Sequence, residues 1–283
     1  MEMVLSKYHS FGNDYLIYDC RKNEYELKPE DIRNICDRRF GAGGDGILAG
    51  PVPMFGKTGV KIYNPDGSEA AISGNGLCIF AKYLKDAGYV VKKEFVIQTR
   101  SREVTVHYHN EAATEMTISM GRLYCGQTDG EGQSRSEFIP VEYEGRTYRG
   151  MCVWMGNLHC IIPMEEISKE AVCRIGRMLQ KDERFPEGVN TQIIRVRDKN
   201  NLDTEVYERG AGYTLASGSS CCAAAGVASL MNLTDPCVYV HMPGGTLTVR
   251  LDAEMNAEMT GKADYIGQIS LSYEFLEKYH IGV

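Results

Sequence analysis

The chain has 283 residues, a net charge of −7 and 43% hydrophobic content, which suits two domains or one large one with an ordinary core. The acidic balance and the lack of a long lysine and arginine run argue against nucleic acid or an anionic membrane surface as the partner. No run of about 18 apolar residues predicts a membrane-spanning helix. We therefore expect a cytoplasmic globular protein that binds a small molecule.

In chain order, the first predicted helix is Pro29–Cys36, where helical spacing follows an acidic first turn. Short alternating segments bounded by glycine or polar residues then predict many strands, among them 94–98, 103–107 and 246–250. A further helix is predicted at 166–175. Two more should follow Gly74 and Gly218, the first with one apolar face formed by Leu77, Phe80, Ala81 and Leu84.

The cysteines and one glycine-rich run do not predict a cofactor or metal site. Ten cysteines are present without C-x-x-C pairs or close His/Cys clusters, so most are expected to be reduced and buried, and no metal is expected. The run 41–46 formally matches G-x-G-x-x-G. It follows the charged run 37–39 and precedes Ile47-Leu48, whereas a dinucleotide site needs a strand before it and a helix after it. We expect a structural loop there.

Two glycine turns that open helices are related by a fixed offset of 144 residues. The stretch SGNGLCIFA begins at Ser73, and SGSSCCAAA begins at Ser217. The same offset aligns, without a gap, Gly12-Asn13 with Gly156-Asn157, Tyr63 with Tyr207, Cys78 with Cys222 and Ala81 with Ala225. The repeat is too long for a solenoid and predicts two copies of one domain, 1–119 and 120–265.

Each predicted helix start could bind an anion. A glycine turn leaves the first backbone N–H groups unpaired, and the helix dipole adds positive potential, which suits a carboxylate or phosphate. The structural alternative is that Ser73 and Ser217 are only N-caps, the commonest use of serine at this position. A serine nucleophile is a third interpretation, but neither turn has the G-x-S-x-G form.

The motifs together resemble diaminopimelate epimerase and its cofactor-independent amino-acid racemase relatives over nearly the whole chain. The landmarks are Gly12-Asn13-Asp14, the runs 37–41 and 64–69, Gly74-Asn75-Gly76, the run 156–159, Asn190 and the run 208–210. The resemblance implies an α+β fold of two pseudo-symmetric domains from an internal duplication, each a strand-rich barrel around a central helix. It also implies an active site in the cleft between them and a C-terminal segment, 266–283, that returns to the first domain.

The resemblance implies that each helix start should carry a catalytic cysteine, in the patterns C-G-N-G and C-G-[ST]-G. Here Ser73 and Ser217 stand at those two positions. In the family's two-base mechanism a thiolate removes the α-proton from one face and the opposite thiol protonates the other, whereas a serine hydroxyl is far too weak an acid for this role. The chain should therefore bind substrate but scarcely turn it over. A laboratory-made double variant is the favoured explanation, and a natural ligand-binding pseudoenzyme is the alternative.

The resemblance also assigns substrate-binding residues, namely Asn13, Asn64, Gly74, Asn75, Asn157, Asn190, Glu208, Arg209, Gly218 and Ser219, with no cofactor. Arg209 would grip a carboxylate in a fork while Glu208 meets an ammonium. For the asparagines, turn formation is the structural alternative. His159 and His9 are candidates for orienting the site, and a satisfied structural histidine is the alternative for each.

Several residues depart from the family pattern and bear on the substrate: Trp154, Leu158, Gly188 and Tyr213. Diaminopimelate, converted from the LL to the meso form, is the first choice because the polar set is intact. Another polar amino acid such as histidine is the second. The partner is expected to be this small molecule alone, and a homodimer is left open.

Overall fold

The computed structural model describes residues 3–125 and 138–282 and shows a sheet-rich α+β fold. It divides into two compact units. One extends to Ile118 and resumes at Gly261, and the other is Ser119–Thr260. From the sequence, the domain boundaries are predicted after residues 119 and 265.

The residues of the first unit that the structure describes form nine strands and three helices. The strands, numbered in chain order over the whole protein, are β1 (Met3–Ser10), β2 (Asn13–Tyr18), β3 (Ile47–Met54), β4 (Lys57–Tyr63), β5 (Glu69–Ala70), β6 (Glu94–Gln98), β7 (Glu103–Tyr108), β8 (Glu115–Arg122, whose last four residues belong to the second unit) and β19 (Asp264–Leu271). The helices are α1 (Pro29–Cys36), α2 (Gly74–Asp86) and α5 (Tyr273–Lys278).

The second unit has ten strands and two helices among its described residues. The strands are β9 (Tyr124–Cys125), β10 (Phe138–Tyr143), β11 (Arg146–Trp154), β12 (Leu158–Pro163), β13 (Asn190–Asp198), β14 (Asn201–Glu208), β15 (Gly212–Thr214), β16 (Cys237–Met242), β17 (Gly245–Leu251) and β18 (Asn256–Lys262, whose last two residues belong to the first unit). The helices are α3 (Lys169–Leu179) and α4 (Gly218–Leu230).

Strand register confirms the duplication. Within each unit the pairing runs parallel, then antiparallel, then antiparallel through β2–β3–β4–β5 and through β12–β13–β14–β15. The Cα partners Leu16 and Ile47, Ile47 and Tyr63, and Tyr63 and Glu69 recur as Cys160 and Thr191, Thr191 and Tyr207, and Tyr207 and Tyr213. Every one of these pairs is displaced by the same offset of 144. A shared strand register is stronger evidence of duplication than matching residue types, because a one-residue slip in the pairing would turn each side chain to the opposite face of the sheet.

The predicted helices form, with two differences. The helix predicted at 166–175 begins at Lys169, because Ser168 caps it by accepting a hydrogen bond from the N–H of Ala171 at 3.1 Å. The four residues expected to share an apolar face of α2 are all buried, and the burial extends to every residue from Gly74 to Leu84. The cause is its central position: α2 packs on β1, β2 and β3, and α4 packs likewise on β11–β14, β16 and β17.

The cysteines and the glycine-rich run behave as expected. All ten cysteines are free thiols, and Cys78 and Cys222 are fully buried within the central helices. Residues 41–46 form a loop between α1 and β3. In the part of the chain that the structure describes, no helix is long and apolar enough to cross a membrane.

Candidate active site

The first helix start is capped by Ser73. Its backbone is extended, with φ −144° and ψ 117°, and its Oγ accepts a hydrogen bond from the N–H of Gly76 at 3.1 Å. The hydroxyl of Tyr15 on β2 donates to the same oxygen at 3.3 Å. Ser73 therefore does serve as an N-cap, and it also carries a phenol as a hydrogen-bond partner.

The second helix start repeats this arrangement. Ser217 has φ −148° and ψ 120°, and its Oγ accepts from the N–H of Ser220 at 3.4 Å. Neither helix has an acidic residue in its first turn, so no carboxylate of the helix itself offsets the positive potential there. Equivalent serines in the same conformation thus open two equivalent helices.

Two predicted binding residues meet beside Ser73. The side-chain amide of Asn75 donates to Oδ1 of Asn13 at 3.3 Å, and the amide of Asn13 donates to Asp45 at 2.9 Å. Asp45 also accepts from Arg38 at 2.6 Å. Asn13 is therefore oriented from both sides, with Asn75 at the helix start and a charged pair behind it.

Asn64, by contrast, has the turn-forming role that was its structural alternative. Its amide donates to Oγ of Ser68 at 2.9 Å, and its backbone N–H donates to the carbonyl of Ser68 at 2.9 Å. The structure therefore shows Asn64 closing the turn between β4 and β5.

In the second unit, Asn190 and Arg209 are in direct contact. Oδ1 of the buried Asn190 accepts the backbone N–H of Arg209 at 2.9 Å, while the guanidinium of Arg209 donates to the carbonyl of Glu187 at 3.2 Å. His159 is the Cα partner of Asn190 across β12 and β13. Three predicted site residues therefore lie together in this unit.

Glu208 is close to the first turn of α4. Burial raises the pKa of the Cys221 thiol well above its usual value, and the negative charge of Glu208 adds to that effect. Cys221 follows Ser217 by one turn, so the carboxylate is within electrostatic range of this helix start.

His159 is held by two residues that the sequence analysis did not identify. Its Nδ1 lies 3.3 Å from Oε1 of Gln192, and the amide of Gln192 donates to Oγ of Ser220 at 2.9 Å. Burial and, to a smaller extent, the nearby charge of Arg209 lower the pKa of His159 to about 4, although the hydrogen bond to Gln192 acts in the opposite direction. The repeat offset aligns His159 with Tyr15, the residue that contacts Ser73, but it aligns Gln192 with Leu48 and Ser220 with Gly76, so it gives no signal for these two residues.

The residues that depart from the family pattern have defined local contacts. Tyr213 donates its hydroxyl to Glu205 at 2.9 Å. Gly188 has φ +76°, and a Cβ there would lie 2.3 Å from Oε1 of Gln180 and 3.2 Å from Cδ of Arg209. A larger residue at position 188 would therefore require Arg209 and Gln180 to move.

Two further predicted residues each have a buried side-chain atom that finds no hydrogen-bond partner among residues 3–125 and 138–282. These atoms are Oδ1 of Asn157 and Nδ1 of His9. Within the same ranges, no group of three or more His, Cys, Asp or Glu side chains could hold a metal ion.

Comparison with known proteins identifies the family. The profile of the family described as diaminopimelate epimerase matches residues 5–125 and 151–266. "Diaminopimelate epimerase 2" of Nostoc sp. (strain PCC 7120) is 37% identical over 276 residues, which cover 96% of each chain. The chain belongs to the diaminopimelate epimerase family.

Solved structures share the fold at low sequence identity. A hydroxyproline epimerase from Agrobacterium vitis, with bound trans-4-hydroxy-L-proline, has a TM-score of 0.70 and 15% identity over 95% of this chain and 91% of that one. A probable proline racemase from Agrobacterium radiobacter K84 has a TM-score of 0.69 and 12% identity over 96% and 93%. These likenesses show the fold alone.

Proposed function

We propose that this chain is a cofactor-independent amino-acid epimerase or racemase scaffold of the two-base type, with LL-to-meso diaminopimelate epimerisation as its reaction. The observation that supports this most is the match between Ser73 and Ser217, which cap equivalent helices with nearly the same backbone angles. The two positions would act on opposite faces of the substrate α-carbon. The reacting carboxylate would be bound by the N–H groups of Gly74, Asn75, Gly218 and Ser219.

With serine at both positions, turnover should be nearly absent. A cysteine at a helix N-terminus has a lowered pKa and forms a thiolate that can accept the α-proton, while a serine hydroxyl stays protonated without an activating base. The nearby native thiols do not replace it. Burial raises the pKa of Cys78 to about 12 and that of Cys221 well above its usual value, so both are protonated at neutral pH.

The other predicted residues would hold the part of the amino acid that does not react. Arg209 is a donor-only group suited to a carboxylate, and Glu208 is suited to an ammonium. The intact pairing of Asn190 with Arg209 supports diaminopimelate over a substrate without a second polar end.

The test is to restore both thiols. The Ser73→Cys/Ser217→Cys double revertant should epimerise diaminopimelate without pyridoxal phosphate or metal, and proton NMR in heavy water should show deuterium uptake at the α-carbon. The unaltered chain is the control and should show almost none. If the revertant binds diaminopimelate but takes up no deuterium, the chain is a ligand-binding pseudoenzyme.

Calorimetric titration of the unaltered chain separates the candidate substrates. Diaminopimelate stereoisomers, histidine, lysine and glutamate are compared, and diaminopimelate should bind most tightly. If histidine gives a clear heat of binding and diaminopimelate gives none, histidine would replace diaminopimelate as the proposed substrate.

A further inference from the structure

Three buried side chains connect β12 to the start of α4 in the second unit. His159, Gln192 and Ser220 all have 0% of their surface exposed, and they are joined by the two hydrogen bonds from imidazole to amide and from amide to hydroxyl. A glutamine amide has one end that only accepts and one that only donates. The donors and acceptors along this series of hydrogen bonds are therefore fixed, and they determine which ring nitrogen of the histidine carries the proton.

The order of donors and acceptors in these hydrogen bonds places the proton on Nδ1 of His159. Because Oε1 of Gln192 can only accept, the ring nitrogen facing it must donate. Nε2 then carries a lone pair, and it has no hydrogen-bond partner among residues 3–125 and 138–282. The lowered pKa of His159 means that the ring is neutral at pH 7.

A buried acceptor without a partner is costly, so a ligand that donates to Nε2 would be favoured. An amino acid offers carboxylates, which only accept, and ammonium groups, which only donate. The ammonium is therefore the group that can pair with Nε2. Two charged side chains are close enough to influence this region: the charge of Arg209 lowers the pKa of His159, and the charge of Glu208 raises the pKa of Cys221.

We propose that Gln192, supported by Ser220, is a positioning residue that holds His159 in the Nδ1–H tautomer, so that Nε2 accepts a hydrogen bond from an ammonium group of the bound amino acid. The identity of the ligand rests on the proposed function. The tautomer does not, because it follows from residues of the second unit alone.

Nitrogen-15 NMR of the ligand-free chain at pH 7.5 tests the tautomer. The six histidines are distinguished by a His159→Gln spectrum, and His159 should show a protonated Nδ1 and an unprotonated Nε2. Gln192→Leu should convert these signals to a mixture of tautomers, while Gln192→Glu, which keeps an acceptor, should retain the proton on Nδ1. Ser220→Ala is the milder variant and should weaken the preference.

Gln98→Leu is the matched control, since Gln98 is a buried glutamine of the first unit whose amide donates to the carbonyl of Thr99. It should leave the His159 signals unchanged. A proton on Nε2 in the unaltered chain, or the same signals in Gln192→Leu, would overturn the assignment of Gln192.

Titration with meso-diaminopimelate tests the contact. Its addition should shift the Nε2 resonance of His159, and Gln192→Leu should weaken binding about tenfold, the effect of losing one net hydrogen bond. Equal affinity in the two chains would overturn the contact. If the unaltered chain gives the expected spectra but does not bind diaminopimelate, the proposed function fails while the role of Gln192 in the tautomer is supported.

Discussion

Single residues in this protein combine capping with a proposed chemical role. Ser73 and Ser217 are N-caps. In the proposed mechanism the same two positions would carry the catalytic thiols. A cap must present its side chain to the first free N–H groups of the helix, and an acid–base group gains from the same positive potential. The two interpretations of these serines are therefore compatible, because one position satisfies both.

The clearest electrostatic residue of the first unit is Asp14, on β2. Lys7 lies 2.9 Å from its carboxylate, and Arg38 donates to it as well. Burial alone would raise the pKa of Asp14, but the bonds from Arg38 and Lys7 outweigh it and hold this pKa below its usual range. Asp14 therefore stabilises the fold above its unfolded pKa of about 4, and this contribution is lost as the pH falls through the lower, folded value.

We predict that Asp14→Asn lowers the free energy of unfolding by about 2 kcal/mol at pH 7, because the two cations lose a charged partner. The difference in the free energy of unfolding between the variant and the unaltered chain should narrow below about pH 4, where Asp14 of the unfolded chain becomes protonated, and should be lost as the pH falls through the lower, folded pKa. Urea unfolding from pH 7 to pH 3 measures it. The exposed Asp264→Asn serves as control and should change little. A difference that stays constant across this pH range would contradict the assignment.

At the scale of elements, helix α3 approaches its sheet through a glycine. Gly176 lies on the buried face of α3, and a Cβ there would be 2.5 Å from two ring atoms of Tyr207 on β14. Tyr207 precedes Glu208 and pairs with Thr191. The close approach of α3 to β14 therefore supports the strand that ends at two predicted site residues.

We predict that Gly176→Ala destabilises the protein by up to about 2 kcal/mol. Alanine is favoured over glycine in a helix by about 1 kcal/mol, but overpacking against the base of the half-buried Tyr207 ring costs about 1–3 kcal/mol and should prevail. Thermal and urea unfolding measure the change. Gly267→Ala, whose Cβ would meet no atom within 4 Å, is the control and should stay within about 0.5 kcal/mol. A stabilised Gly176→Ala variant would show that Tyr207 can shift.

At the scale of the whole molecule, each unit adds one further strand beside its duplicated strands. In the first unit β1 pairs with β19, which arrives from the C-terminal end of the chain, whereas in the second unit β11 pairs with β10, which directly precedes it. The duplicated strands are thus flanked in the same way by segments of different origin. Each unit provides one helix start with one serine, which the two-base proposal requires.

The single revertants should show opposite stereochemical preferences. With Ser73→Cys alone, a thiolate can remove and return a proton on one face only, so one stereoisomer should exchange its α-proton with retention. Ser217→Cys alone should do the same for the opposite configuration. Each should epimerise far more slowly than the double revertant, because water or serine must supply the second proton. Proton NMR in heavy water follows each stereoisomer separately.

Two results would contradict the two-base assignment. One is exchange of the same stereoisomer by both single revertants. The other is epimerisation by either of them as fast as by the double revertant. The unaltered chain is the baseline for both comparisons.

The sequence by itself determined the family, the duplication and most helix starts. These features depend on local or periodic signals: a serine before a glycine turn, an acidic first turn of a helix, and a fixed offset between matching residues of the two repeats. Such signals involve residues close in sequence, or copied from one another, so they can be read without coordinates. Asn13, Asn75, Asn190 and Arg209 were assigned instead by the resemblance to the family, and their contacts within each unit are as described above.

The tertiary structure alone decided which polar residues meet and in what direction they donate. Gln192 and Ser220 lie 28 residues apart, on β13 and α4, and His159 comes from a third element. Strand pairing and helix packing bring them together, and no local pattern encodes that contact. The burial of α2 on all sides likewise follows from its place among the strands, because a helix surrounded by a sheet has no face left for water.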